Sequence, residues 1–311
     1  MEQFELHESP LEGFEQVFEC YLYNTPEFLK ANNDLPQKHF YLMDKTAGKY
    51  LAHIAFNIEN DLAVSPLKAP FGGVEFAEGI HDNALSKFLE LLEKRLREQG
   101  VIEIRIHQAP DNYTSQETID KLFHHSGFEL IQERVYQGID IDEIPLSEKM
   151  HEMQKRRLRK SERELFVFKK YPKNELAKAF MQIDRWRTMA EKSLSMTWAD
   201  LHNSSKRNPK AYHAFGLENE HGLMIAGSIV VRVNENVLYH FFPAHYDAYN
   251  QFSPMVMLMN GIYDWGRKNG FKHLDLGTSY VHKKVNSNLR TFKERMGAKE
   301  YSARSWRKKL N

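Results

Sequence analysis

The sequence predicts a duplicated α/β architecture in two units, on three observations. The chain has 311 residues, about twice the length of a typical domain. Along both halves, runs with the period of amphipathic helices alternate with short runs rich in β-branched and aromatic residues. Two glycines that follow apolar stretches, Gly100 and Gly127, recur as Gly270 and Gly297 at one offset of 170 residues, with the same spacing of 27. Two copies of this length each close their own core, so the pattern is a duplication and not a solenoid. The expected domains are residues 1–145 and 146–311.

The first half opens with an expected helix over residues 11–31. His39–Met43 and Tyr50–Phe56 flank the turn Asp44-Lys45-Thr46-Ala47-Gly48, a hairpin in which Gly48 supplies the positive φ. Leu62-Ala63-Val64 is a third short strand, followed by a Pro/Gly loop. Leu85, Phe88, Leu89, Leu92 and Leu96 recur at helical spacing, with Asp82 as the expected cap and Gly100 just beyond the end. Residues 101–106 read as a strand, 119–125 as a short helix and 128–130 as the start of another strand.

In the second half a hairpin turn falls at Glu218–Gly222, and residues 229–233 and 237–242 are strand-like. Ser253 and Pro254 suit the N-cap and first position of a helix whose apolar stripe is Met255, Leu258, Met259 and Ile262. Gly270 ends it, and residues 271–276 form the next strand.

Composition is that of an ordinary globular chain, 41% hydrophobic and 27% charged. No apolar run approaches the ~20 residues that span a bilayer. The start, Met1-Glu2-Gln3-Phe4-Glu5, has no apolar segment of the kind a secretory signal needs. One cysteine, Cys20, cannot pair within the chain and fits a reducing compartment, so a cytoplasmic protein is expected. The net charge of +1 hides an asymmetry: residues 1–150 carry 13 Lys/Arg against 27 Asp/Glu, residues 151–311 carry 30 against 15. Either the two halves attract each other, or the second meets a polyanion such as a phosphate-bearing ligand or RNA.

The order helix, strand meander, loop, helix, strand, helix, strand resembles the GNAT acyltransferase fold. Ser253-Pro254 at a helix start, the strand end Leu274-Asp275-Leu276-Gly277 and the run Asn288–Ala298 are similar to the FemABX-like tandem GNAT aminoacyl and acyl transferases. So is the basic stretch Gln154–Glu162. The resemblance implies two tandem GNAT-like units, each a mixed central sheet flanked by helices. It also implies transfer of an acyl or aminoacyl group to an amine, from acyl-CoA or aminoacyl-tRNA, with no permanently bound cofactor. The acceptor it implies is a small-molecule or peptidoglycan-precursor-like amine. Beyond it, tRNA is a further partner and DNA is not. The glycine-rich loop with which CoA-binding GNATs precede their central helix is replaced here by Tyr249-Asn250-Gln251-Phe252-Ser253-Pro254-Met255. Gln251, Phe252 and Ser253 are the expected donor-binding residues, because free N–H groups at a helix start still favour phosphate.

On a helix, Arg156, Arg159, Lys160 and Arg163 form one basic stripe; Lys155, Arg156, Arg159 and Lys160 are the expected phosphate or substrate contacts. Lys293, which the resemblance implies lies near the transferred ester, suits stabilisation of an oxyanion or a donor phosphate. Stripe and Lys293 are expected to line one cavity. Amine acylation also needs a proton acceptor. His245 and Tyr280 are the expected catalytic partners, with Tyr239, His240 and Asp247 as further candidates, near a strand expected to splay or end at Pro243. No histidine pair has the helical spacing of a metal motif, so no metal is expected. Cys20, in the expected first helix without a nearby base, suggests no covalent chemistry. The competing function is a non-catalytic polyanion- or RNA-binding protein on a degenerate tandem GNAT scaffold.

Overall fold

In the computed structural model, which describes residues 3–310 apart from 33–34, 114 and 282–283, the chain divides into two units. The first is Met1–Arg134 with Tyr301–Asn311, and the second is Val135–Glu300.

The first unit runs β1 (Phe4–His7), β2 (Glu15–Gln16), α1 (Pro26–Asn32), β3 (Gln37–Asp44), β4 (Lys49–Glu59), β5 (Leu62–Ser65), β6 (Glu75–Phe76), α2 (Asp82–Glu98), β7 (Glu103–His107) and α3 (Gln116–His125). The expected hairpin is β3 and β4, antiparallel, with Gly48 at φ +65°. β5 pairs antiparallel with β4, and β7 runs parallel to β5. The α2 stripe of Leu85, Phe88, Leu89, Leu92 and Leu96 is buried with Phe40, Ile54, Phe56, Ile104 and Ile106 of the strands. His81, not Asp82, is the N-cap, and Asp82 sits in the first turn, where its carboxylate favours the helix dipole.

The helix expected over residues 11–31 does not form. Gly13 takes φ +88°, Glu15–Gln16 pair with Lys49–Tyr50, and Leu22–Asn24 make one 3-10 turn. Helix begins only at Pro26, which starts a helix readily and cannot sit inside one. Cys20 therefore lies in a non-helical segment, half-buried.

The second unit takes up β8 (Glu129–Asp140) and runs through α4 (Leu146–Lys149), α5 (Glu152–Glu162), β9 (Val167–Tyr171), α6 (Leu176–Met189), α7 (Trp198–Arg207), β10 (Tyr212–Glu218), β11 (Met224–Arg232), β12 (Val237–His245), α8 (Pro254–Lys268), β13 (His273–Thr278), β14 (Tyr280–Val281), β15 (Lys284–Val285) and α9 (Ser287–Arg295). The last strand is β16 (Lys299–Lys309). Strand order in this unit is β9-β10-β11-β12-β13-β8. The ladders are antiparallel from β9 to β12, parallel between β12 and β13, and antiparallel between β13 and β8. The first unit repeats this as β3-β4-β5-β7-β16, with β5 and β7 the parallel pair.

The duplication is visible at the glycines. Gly100 follows α2 and Gly270 follows α8, at φ +82° and +81°; Gly127 and Gly297 follow α3 and α9, also at positive φ. The domain boundary differs from the expected split at 145/146. The last strand of the first unit is supplied by Tyr301–Lys309 at the far end of the chain, where Ser305–Lys309 pair with β7. The equivalent strand of the second unit is β8, whose Tyr136–Asp140 pair with β13. Each unit thus closes with the strand that simple succession assigns to the other. Among the described residues, no helix is long and apolar enough to cross a membrane.

Candidate active site

β12 and β13 stay together for only three residue pairs, Val237↔His273, Leu238↔Leu274 and Tyr239↔Asp275. Beyond Tyr239 they pair no further, although β12 continues to His245 and β13 to Thr278. On its other side β12 stays on β11, with an irregularity that passes over Phe241. The opening therefore begins earlier than Pro243, where it was expected. Pro243 keeps its place in the strand opposite Ser228, because β12 is an edge on its open side and an edge tolerates proline.

β13 bulges at this point. Its register on β8 shifts between Asp275 and Thr278, Gly277 takes φ +67°, and the Gly277 N–H donates to Asp275 Oδ1 at 2.6 Å. A Cβ on Gly277 would meet the Tyr239 ring at 3.1 Å, so glycine meets both the backbone and the packing demand.

Lys293 of α9 fills this bulge. It is 5% exposed, and its Nζ donates to Gly277 O at 2.9 Å and Thr278 O at 2.7 Å. Burial lowers its pKa to about 8, against the opposing pull of Asp275. His240 is buried on β12; desolvation and the Lys293 charge lower its pKa to about 3, and its Nε2 has no hydrogen-bond partner among the described residues. Burial, with Asp275 adding to it, pushes the Tyr239 phenol up. Ser279 Oγ donates to Gln137 Oε1 at 2.6 Å, and Gln137 Nε2 donates to Arg290 O at 3.2 Å, which ties the bulged strand end to β8 and α9. An ammonium has three donors, and the bulge carbonyls take two. Among the described residues the arrangement is a fixed cation with a donor to spare beside a strand opening, suited to negative charge that develops on a carbonyl oxygen.

Lys293 thus lies at the strand opening, and the other expected residues lie as follows. The His245 ring bonds Asn250 Oδ1 and lies 4.0 Å from Asp247, within the 3-10 turn of residues 247–252. Tyr280 is 40% exposed, on β14. Lys160 does meet the expected donor residues: its Nζ donates to Gln251 O at 2.8 Å and sits 5.6 Å from the centre of the Phe252 ring. Ser253 holds the N-cap position in a left-handed conformation, and its hydroxyl does not cap. Lys155 pairs with Glu152 at 2.9 Å, and Arg156 and Arg159 are exposed.

Among the described residues, the cavity nearest the basic helix is not lined by Lys293 or by Arg156, Arg159 or Lys160 of the stripe. A cavity of about 430 Å³ between α5 and α9 is lined by Gln154, Arg157, Asn288, Thr291, Phe292 and Arg295. Helix phase explains the difference. Gln154, Leu158 and Ser161 are the buried positions of α5, which brings neighbouring Arg157 to the groove and turns Arg156 and Arg159 outward. Arg157 Nη1 donates to Gln154 Oε1 at 3.2 Å, while the buried Gln154 Nε2 has no partner among the described residues. Gln137 and Arg157 were not singled out from sequence. Arg157 lay within the basic run, and only the burial phase of α5 distinguishes it; Gln137 carries no local signal.

Residues 152–285 match the acetyltransferase (GNAT) domain family. Among solved structures, FemX aligns with a TM-score of 0.70 at 11% identity, covering 90% of this chain and 91% of its own. L-PGS from Bacillus licheniformis aligns at 0.59 and 17% identity, covering 97% and 95%. A tandem GNAT protein from the clavulanic acid biosynthesis pathway aligns at 0.51 and 8% identity, covering 89% and 83%. No curated protein matches the chain. The fold is therefore that of FemX-like tandem GNAT proteins.

Proposed function

We propose that this chain, with its FemX-like tandem GNAT fold, is an acyltransferase that moves an acyl or aminoacyl group onto an amine of a small or cell-envelope substrate. The observation that carries this reading is Lys293, buried at the β12–β13 opening and held by Gly277 O and Thr278 O. The acceptor nitrogen attacks the donor carbonyl carbon, and a tetrahedral oxyanion forms. The third N–H of Lys293 stabilises that oxyanion. The bond from carbon to the leaving oxygen or sulfur then breaks, and the leaving atom takes up the proton released by the amine.

Aminoacyl-tRNA is the donor this site favours over acyl-CoA. At the α8 start, Pro254 has no N–H and the Val256 N–H is already bonded to Ser253 O at 3.0 Å. Few backbone donors remain there for a pyrophosphate. The Arg157–Arg295 groove offers two guanidinium groups to a phosphodiester backbone instead. Either donor is a cytoplasmic metabolite, and neither requires a permanently bound cofactor.

The test is amide formation from labelled acetyl-CoA and from charged tRNA, with simple amines and cell-wall precursors as acceptors. Lys293→Met lowers turnover by about 10²–10³-fold if its ammonium meets the oxyanion. Full activity in that variant would sink the assignment. RNA binding without transfer from either donor would establish the non-catalytic polyanion-binding alternative.

A further inference from the structure

We propose that Cys20, His53 and Glu75 form a Zn²⁺ site in the first unit, with a fourth position open to water or an incoming ligand. Their donor atoms, one sulfur, one nitrogen and one oxygen, all lie within 4.8 Å of one another. In a tetrahedral zinc site such donors stand roughly 3.3–3.7 Å apart, so small side-chain adjustments close the site. Three protein ligands of mixed S, N and O type with one open position is an arrangement zinc accepts.

Sheet register builds the site. Glu75 on β6 lies directly opposite His53 on β4. His53 Nδ1 is 2.8 Å from Glu75 Oε2, and both side chains are 1% exposed. The Tyr21 N–H donates to the other oxygen, Glu75 Oε1, at 2.5 Å, which brings the adjoining Cys20 up to the pair. A ligating histidine is normally oriented through its second nitrogen. Here His53 Nε2 lies 3.1 Å from His39 Nδ1, and the two rings stack at 8°. With a metal on Nδ1, the Nε2–H of His53 donates to His39.

Charge supplies an independent argument. Among the described residues no lysine or arginine bonds Glu75, so a deeply buried carboxylate is met by an imidazole, a backbone N–H and the Cys20 thiol, none of them a fixed cation. An uncompensated buried carboxylate is expensive. A thiolate and a carboxylate around a divalent cation, with a neutral imidazole, make the cluster electrically neutral. The hairpin, the β6 strand and residue 20 supply these groups from three separate segments, which hid the cluster from any search by spacing.

The test uses the full chain, loaded with Co²⁺ as a spectroscopic stand-in for zinc and, separately, purified and assayed for bound metal. One metal per chain is expected, with a thiolate-to-cobalt charge-transfer band in the near ultraviolet. Cys20→Ser abolishes that band while metal-free circular dichroism and melting stay near those of the parent. Glu75→Gln, close in size, weakens the metal, and His39→Ala weakens it by roughly 10- to 100-fold as an orienting group does. A band that persists in Cys20→Ser, no stoichiometric metal in the parent, or unchanged affinity in both Glu75→Gln and His39→Ala would each overturn the site.

Discussion

Lys293 and His240 carry the clearest consequences for pH. Burial lowers the Lys293 pKa to about 8 from 10.5. Between these two values the unfolded chain holds a proton that the native chain has lost, so Lys293 makes stability rise with pH across that window. Catalysis runs the other way. If the ammonium stabilises the oxyanion, turnover falls as pH climbs through about 8, after an earlier rise as the acceptor amine loses its proton. Measured turnover from pH 6 to 10 should therefore be bell-shaped, and Lys293→Arg, if active, should move the falling limb upward. His240 has its pKa lowered from 6.5 to about 3. Here too the unfolded state binds the extra proton, so stability drops as pH falls below about 6.5. His240→Leu should flatten that part of the acid unfolding curve, as read by urea midpoints between pH 3 and 7. Lys293 was legible from its motif. The protonation behaviour of His240 was not, because it depends on β12 and α9 enclosing it.

Among the elements, β16 best separates what sequence shows from what it does not. The glycine spacing marked Gly297 as the counterpart of Gly127, but nothing local says which sheet the strand after it joins. The first unit's core holds the answer in Trp306, which is fully buried with Phe123, Phe128 and Leu310. Trp306→Ala should cost about 3–5 kcal/mol, visible as early unfolding of the first unit in urea. Deleting residues 301–311 should unfold the first unit although the cut lies at the opposite end of the chain. The α2 and α8 helices were legible because their apolar stripes repeat over several turns. Residues 11–31 were not, because aromatic residues crowd the segment without a helical stripe and Pro26 interrupts it. Gly277 belongs at this scale as well. Gly277→Ala forces a left-handed residue, at about 1–2 kcal/mol, against the Tyr239 ring. It should lower turnover more than the melting temperature, because the carbonyls that hold Lys293 shift with the bulge.

For the whole molecule, the charge asymmetry predicts how polyanions behave. If RNA occupies the α5–α9 groove, its affinity should fall linearly with salt on logarithmic axes. Replacing Arg157 or Arg295 with Ala should reduce that slope by ~0.7 each, as expected for single-strand phosphate contacts; titrations at several salt concentrations measure it. An unchanged slope would place the RNA elsewhere. The two-unit architecture was legible from the offset of 170 residues, and the family resemblance from the Asp275–Gly277 and Lys293 motifs. The boundary between the units was not, because contiguity in sequence cannot reveal that Tyr301–Lys309 completes the sheet begun at the start of the chain. That closure has a consequence in time. Chains leave the ribosome from the N-terminus, and domains generally fold in that order. This chain inverts it: the second unit has all its strands once residue 300 has emerged, while the first, made earlier, still waits for Tyr301–Lys309. Until β16 arrives, β7 stands as an open edge, so the older half of the nascent protein is the half that most needs protection from aggregation.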